Sequence, residues 1–325
     1  MTRIFKQHVV TLWLGVAVGL AICFPAPAAN GGWLRPEWTT QWGVALIFFL
    51  QGLSLPTRLL VAGCRPRRIH VFVLSWNYLW FPLATGLLLY PMSDLLTPDL
   101  CVGFGLLAFL PTTIASAIVF TSITAGDTAI AIVSTIVSNL LAVLIVPIIA
   151  VAYLASETEL EIELSTILVH LTRLLIVPLL IGQVLRCLVN WPLSHLSGAT
   201  KMVNHAIVLF IVHAAFAESV SSGFLKQLSL GVLSAVLLGA VALLLATSGL
   251  VWISTAWLRI EHSHRIAAFF CASQKSLASG LPLASSILLA SPEAVDPAAV
   301  LIPLLCFHPL QLVFAGLISP QFLRC

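Results

Sequence analysis

Apolar runs of roughly 17 residues or more, each long enough to cross a bilayer, follow one another along this chain with little polar material between them. Of its 325 residues, 60% are apolar and 8% charged, whereas roughly 25% are charged in an average soluble domain. That is too little polar side chain to face water around a globule. The runs show no period-2 alternation, which argues for helices over barrel strands, since a helix satisfies its own backbone within hydrocarbon. The sequence predicts ten spans, over residues 9–24, 42–62, 69–90, 101–121, 127–154, 165–189, 203–220, 228–257, 265–289 and 298–318. The net charge of +3 is small. It gives no reason to expect nucleic acid, and the expected surround is a lipid bilayer.

The placement of charges orients these spans. With the N-terminus in the cytoplasm, Arg3, Lys6, Arg58, Arg65, Arg67, Arg68, Arg186, Lys201, Arg259, Arg265 and Arg324 all fall inside, and only Arg35 and Lys226 fall outside. Glu37, Asp94, Asp99, Glu157, Glu159, Glu161, Glu163, Glu293 and Asp296 fall outside. Shifting the count by one span scrambles this segregation. The positive-inside rule therefore favours ten spans with both termini cytoplasmic, in a membrane of the bacterial inner-membrane type. Arg3, Lys6, the first apolar run and the small residues Ala26–Ala29 also fit a signal peptide. A retained first helix is preferred because it completes two equal halves.

Those halves are residues 1–155 and 165–325, five spans each, joined by an acidic extracytoplasmic linker at 156–164. Laid together with Pro147 on Pro309, they bring Pro111 near Ser273–Lys275 and Gln51 onto His213. An odd number of spans per half forces the halves into opposite orientations, a common transporter plan. Chance alignment of apolar helices is the competing reading.

Two spans are expected to be broken. In the fourth, Pro111 removes an amide donor and is followed by Thr112, Thr113 and Ser116, whose hydroxyls can serve freed backbone groups. In the ninth, Ser273, Gln274, Lys275 and Ser276 precede Gly280 and Pro282. Paired interruptions at corresponding places point to a substrate site, with half-helix ends offering dipoles to ions. Packing kinks are the plainer reading. A lysine at mid-membrane costs about 2.5–3.5 kcal/mol on insertion scales, so Lys275 calls for a partner or a function. Asp127 and Glu218 are the candidate counter-charges, and carbonyls at the break are the alternative.

The remaining polar residues carry less chemistry. His205 and His213 share a face of the seventh span without a Cys or acidic partner at ligand spacing, so no metal site is expected. Asn77, Asn139, Gln183 and Gln311 read as interhelical hydrogen-bonding residues. Seven cysteines show no CxxC or Cys/His spacing. No nucleotide loop, nucleophile elbow or zinc motif is present, so neither an enzyme nor an ATP-driven pump is expected, and no cofactor.

The stretches VALIFFLQGLSLPTRLL, FLPTTIASAIVFTSITAGDTAIAIVSTIVSNLLAVLIVP and FFCASQKSLASGLPLASSI resemble the bile acid:sodium symporter family, most closely its SBF-like branch of sodium-dependent bacterial transporters. The resemblance implies an all-α membrane protein of ten transmembrane helices in two inverted five-helix repeats. Helices 1, 2, 6 and 7 would form a panel domain. Helices 3 to 5 and 8 to 10 would form a core domain in which helices 4 and 9 are broken and cross. It also implies alternating access and sodium as a coupling ion. Three positions depart from the family pattern. Ala117 stands where bile-acid-type members have an asparagine after the serine matched by Ser116. Phe270 stands in place of a sodium-binding glutamate, and Lys275 in place of an asparagine. Thr135 matches a threonine ligand. At least one sodium site is expected to be dismantled.

The expectation is a secondary transporter for a small organic anion, with Thr112, Thr113, Ser116, Thr135, Gln274, Lys275 and Ser276 lining the crossing region. Lys275 would supply a fixed or titrating positive charge in place of sodium. The rival from another class is a non-transporting membrane regulator of ion homeostasis that keeps the fold. The oligomeric state is left open.

Overall fold

A chain surrounded by hydrocarbon must bond every backbone amide and carbonyl internally, and this one does so with helices. The computed structural model describes residues 2–54, 66–157, 164–188, 197–290 and 295–322, and every regular element among them is helical. In chain order these are α1 (Thr2–Cys23), α2 (Pro36–Ser54), α3 (Arg67–Ser75), α4 (Phe81–Leu89), α5 (Pro98–Phe109), α6 (Ile114–Ile123), α7 (Thr128–Glu157), α8 (Leu164–Leu171), α9 (Val177–Leu188), α10 (Ser197–Ser221), α11 (Phe224–Gln227), α12 (Leu230–Thr255), α13 (His262–Ser273), α14 (Leu277–Ala290) and α15 (Pro297–Phe322). Single π turns at Trp76–Trp80 and Thr172–Ile176 carry α3 into α4 and α8 into α9. Most of the acidic linker lies outside the described residues, as do Arg58, Arg65, Glu293 and Arg324.

Among the described residues, six helical stretches are long and apolar enough to cross a membrane: Arg67–Leu95, Thr128–Ile149, Val169–Leu188, Gly198–Ser221, Leu230–Leu258 and Pro297–Phe322. Pro98–Phe109 and Ile114–Ile123, bent by 53° at a short break, make a seventh if taken as one span. The segments expected as first, second and ninth spans are helical too, as α1, α2, and α13 with α14. On α12, Leu237, Leu238, Leu245, Leu250 and Ile253 are exposed. Such a strip would be penalised in water and suits lipid. The protein is a multi-pass integral membrane protein.

The helices gather into two compact units, each drawing on both halves of the chain. The first comprises Met1–Leu55, Val143–Ser229 and Leu281–Leu301, and the second Pro56–Ala142, Leu230–Gly280 and Ile302–Cys325. Within the first, α2 packs along α9 and α1 along α10. The α2–α9 approach depends on glycine: a Cβ on Gly52 would lie 2.0 Å from the Leu179 carbonyl oxygen, and one on Gly182 would lie 2.1 Å from that of Phe49. Lipid gives helices no hydrophobic reason to associate, so close backbone contact between small residues supplies the attraction instead. Arg186 then donates from Nη1 to the Leu53 carbonyl at 2.8 Å, serving the C-terminal end of α2.

The second unit holds an apolar cluster that includes Ile69, Val73, Ala117, Phe120, Val251, Phe269, Phe270 and Leu312. Phe120 and Phe270 stack with centroids 5.6 Å apart, and Phe322 meets Phe270 edge-on at 5.6 Å. This cluster holds α6, α13 and α15 together by dispersion and ring geometry, and so fixes where the two helix breaks lie.

Candidate functional site: two facing helix breaks

Both expected interruptions are present in the second unit. Between α5 and α6 the backbone is extended at Leu110 (ψ 149°) and Thr113 (ψ 117°). Pro111 is the cause at Leu110, because the proline ring crowds a preceding residue out of the helical region. Between α13 and α14 the extended residue is Gln274 (φ −101°, ψ 138°). No proline stands at this second break. Pro282 lies inside α14, which continues through it.

The breaks bond to each other. The Ser276 amide donates to the Pro111 carbonyl at 2.7 Å, and Thr113 Oγ1 to the Lys275 carbonyl at 2.5 Å. Ser116 Oγ donates to Gln274 Oε1 at 2.5 Å. Thr112 Oγ1 donates to the Cys271 carbonyl at 2.5 Å, at the C-terminal end of α13. The first turn of α14 can come this close because residue 280 is glycine: a Cβ there would lie 2.5 Å from Leu110 Cδ1.

A second ring of polar side chains holds the non-helical segments. Asn77 Nδ2 donates to Thr112 Oγ1 at 2.7 Å, and the Thr112 amide donates to Ser138 Oγ at 3.2 Å. Asn139 bridges the two breaks, donating from Nδ2 to the Thr112 carbonyl at 2.8 Å and accepting from Ser279 Oγ at 2.6 Å. Gln311 accepts the Lys275 amide at 2.8 Å and donates back to the Lys275 carbonyl at 2.6 Å. The reading of Asn77, Asn139 and Gln311 as interhelical bonding residues holds. Ser138 and Ser279 carried no signal of their own in so apolar a sequence.

Of the seven residues named from the sequence, Thr112, Thr113, Ser116, Gln274, Lys275 and Ser276 meet at the breaks. Thr135 does not join them by its side chain. Its hydroxyl donates to the Ile132 carbonyl of its own helix at 2.9 Å, and its carbonyl accepts from Asn139 at 2.8 Å.

Lys275 is fully buried, and neither expected counter-charge serves it. Asp127 caps α7 through the Ala129 and Ile130 amides and lies 3.5 Å from His264 Nε2. Glu218 Oε2 accepts the Asn30 amide at 2.7 Å within the first unit. The ammonium instead donates to three main-chain carbonyls, of Asn77 at 3.1 Å, Ala108 at 2.7 Å and Leu110 at 3.0 Å. Its Nζ also lies 4.1 Å from the centroid of the Phe81 ring. The carbonyls of Ala108 and Leu110 belong to the end of α5, where the last turn has no helical donors and the dipole is negative. The alternative reading, an ammonium bonded to carbonyls at a break, is the one realised.

Two of the positions that the resemblance assigns to sodium binding do not fit it. Ala117 and Phe270 are fully buried in the aromatic cluster, and their side chains offer no oxygen. Two polar atoms at the breaks are buried without a hydrogen-bond partner among the described residues: Gln274 Nε2, a donor, and Asn77 Oδ1, an acceptor.

The first unit contains a cavity of about 660 Å³ that sequence reasoning did not foresee. Its lining includes Glu37, Glu218 and Asp296, with Thr40, Gln41 and His170, and among the described residues no lysine or arginine. Asp296 accepts from the hydroxyl of Ser219 and from the amides of Ala298 and Ala299 at the start of α15. The only signal was the acidic character of the span ends.

The chain matches the sequence model of the SBF-like CPA transporter family over residues 8–324. It is 34% identical over 289 residues to the uncharacterized protein PA2026 of Pseudomonas aeruginosa, covering 89% of this chain and 85% of that one. It is 28% identical over 317 residues to sodium/bile acid cotransporter 7 of Mus musculus, covering 94% and 89%. Against sodium/bile acid cotransporter 7 of Danio rerio the identity is 26%, over 95% and 93% of the two chains.

Proposed function

The chain belongs to the SBF-like CPA transporter family, and from that premise we propose that it is a secondary transporter carrying a small organic anion across the membrane by alternating access. Ten spans in two inverted five-helix repeats, 1–155 and 165–325 about an extracytoplasmic 156–164 linker, form the frame of this reading. Support for the repeat comes from register. The offset that lays Pro147 on Pro309 also lays Thr113 on Lys275, and these two residues bond across the breaks with a sequence separation of 162. Charge segregation supports cytoplasmic termini in an inner-membrane-type bilayer.

The anion reading is carried by Gln274. Its Oε1 is held by Ser116 while its Nε2 has two N–H groups and no acceptor, although the residue is only 2% exposed. A buried donor without an acceptor costs about 1–3 kcal/mol, and a carboxylate oxygen of a substrate would relieve that. Thr112, Thr113, Ser116 and Ser276 set the breaks around this amide, and Thr135 supports them through its backbone bond to Asn139. The names of the cotransporter relatives point to the same substrate class. One observation favours a second reading: the carboxylate-lined cavity of the first unit suits a cation, either as the solute itself or as a partner that enters with the anion.

Uptake into proteoliposomes tests the proposal, with bile acids and smaller carboxylates as probes and with sodium, proton or no gradient. Saturable uptake that falls about 10-fold or more in Gln274→Leu is expected, the loss of one good hydrogen bond to a charged group. Absence of saturable flux for every anion would instead favour a non-transporting regulator.

A further inference from the structure

We propose that the Lys275 side chain is a tethered occupant of a monovalent-cation site: the carbonyls of Asn77, Ala108 and Leu110 form a seat for an ammonium-sized cation, and the chain fills that seat with its own ammonium. Four features make the seat a cation site and more than an anchoring point. All its ligands are main-chain carbonyl oxygens, at 2.7, 3.0 and 3.1 Å, the means by which a channel filter replaces the hydration shell of a monovalent ion. Two of them close the C-terminal end of α5, so the helix dipole adds to their attraction for positive charge. The Phe81 ring covers the ammonium at 4.1 Å, and an aromatic face attracts a cation. Finally, Lys275 is fully buried, so its ammonium is held by these groups and not at the surface.

The backbone that carries the stem is held as well. Gln311 bonds both the amide and the carbonyl of Lys275, and Thr113 also bonds that carbonyl. A free ion in this seat would come and go with the concentration of that ion. A lysine fixed at both its backbone and its tip does not. Resting on the transporter reading, the consequence is that the breaks stay assembled, and transport proceeds, without a monovalent cation taken from either side at this position.

The test separates the site from the transport assignment by using stability as its readout. Wild type, Lys275→Ala and Lys275→Met are purified in choline chloride and melted against rising sodium, potassium, ammonium or methylammonium. Wild type should not respond. Lys275→Ala opens the seat, and its melting temperature should rise saturably with at least one of these ions, by about 3 °C or more. Lys275→Met fills the stem volume and should show no such response. The proposal is overturned if Lys275→Ala is as stable as wild type in choline, or if no ion stabilises it. Failure of Lys275→Ala to accumulate in every cation while Lys275→Met accumulates overturns it as well. A cation-responsive Lys275→Ala protein in a chain that carries no anion would uphold the site and defeat the transport assignment.

Discussion

Gln311 grips Lys275 from both sides of its peptide backbone, accepting its N–H on Oε1 at 2.8 Å and donating from Nε2 to its carbonyl at 2.6 Å. The amide thus does for a residue outside the helix what a neighbouring strand would do in a sheet. It replaces two bonds that Lys275 forfeits by leaving the helix. His308, one turn away on α15, lies 2.9 Å from Gln311 Nε2 and orients it further.

The first prediction follows from this grip. Gln311→Leu leaves the Lys275 amide without its acceptor in a dry site, while the carbonyl keeps Thr113. Stability should fall by about 1–3 kcal/mol, read as a lower melting temperature in detergent. Gln311→Glu keeps an acceptor but sets a carboxylate oxygen against the Lys275 carbonyl in the same dry site, so it should be no milder. Equal stability of wild type and Gln311→Leu would mean that the second break does not need its clamp.

A second prediction concerns sodium. Phe270 and Ala117 are fully buried in the aromatic cluster, so wild-type transport should show little dependence on a sodium gradient. Phe270→Glu should not restore a sodium site. It places a carboxylate against Phe120, Phe269 and Phe322, where an unpaired charge costs more than about 3 kcal/mol. Melting curves of Phe270→Glu and of Phe270→Glu with Ala117→Asn, each with and without sodium, measure this. A sodium-dependent recovery of the double variant to wild-type stability would show that the cluster still hides a sodium seat.

How much of this was legible beforehand depended on whether the signal was local. The break at Pro111 is written in the chain, because a proline acts on its own neighbours. The break at Gln274 was read from polar residues in an apolar run, and its extended backbone is held by Gln311 and Thr113, which no local pattern reveals. That Lys275 is met by main-chain carbonyls and not by Asp127 could not be read either. Asp127 and Glu218 were the candidates the sequence offered, and only the packed unit shows that three carbonyls already meet the ammonium. Thr135 was placed at the site by resemblance, yet its hydroxyl turns back to its own helix. The acid-lined cavity joins residues from α2, α10 and the start of α15 that no periodicity links.

A third prediction tests helix contact in the first unit. Alanine at Gly52 or Gly182 puts a methyl about 2 Å from a main-chain oxygen of the facing helix, and backbone cannot give as a flexible side chain can. Each substitution should destabilise by about 1–3 kcal/mol or more. The double variant should cost less than the sum, because the first methyl already separates α2 from α9. Melting temperatures of the two singles and the double suffice. Strict additivity would show that the glycines act independently.

Topology gives a fourth. Ser222, beside the acidic cavity, and Glu261, in the basic turn before α13, are both exposed. Charge segregation assigns them to opposite sides of the membrane. In a background without the native cysteines, Ser222→Cys should react with an impermeant thiol reagent on intact cells. Glu261→Cys should react only after permeabilisation. Reversed labelling would overturn the assignment of both termini to the cytoplasm.

The fifth prediction decides what the cavity carboxylates do to the transported charge. Glu37 and Glu218 line a space that holds no lysine or arginine among the described residues, so an anion entering there meets repulsion and a cation meets attraction. Like charges in a partly enclosed cavity shift local concentration by about 10-fold or more at low ionic strength, and salt screens the effect. If the solute crosses this cavity as a free anion, Glu37→Gln with Glu218→Gln should raise its apparent affinity, most clearly at low salt. Glutamine keeps an oxygen for the Asn30 amide that Glu218 now accepts, so the change is one of charge more than of fold. If a cation is carried, or must enter with the anion, the same variant should weaken uptake, and the loss should shrink as salt rises. Initial uptake rates in proteoliposomes at two ionic strengths distinguish these outcomes. No change at either salt would place the solute's path away from this cavity.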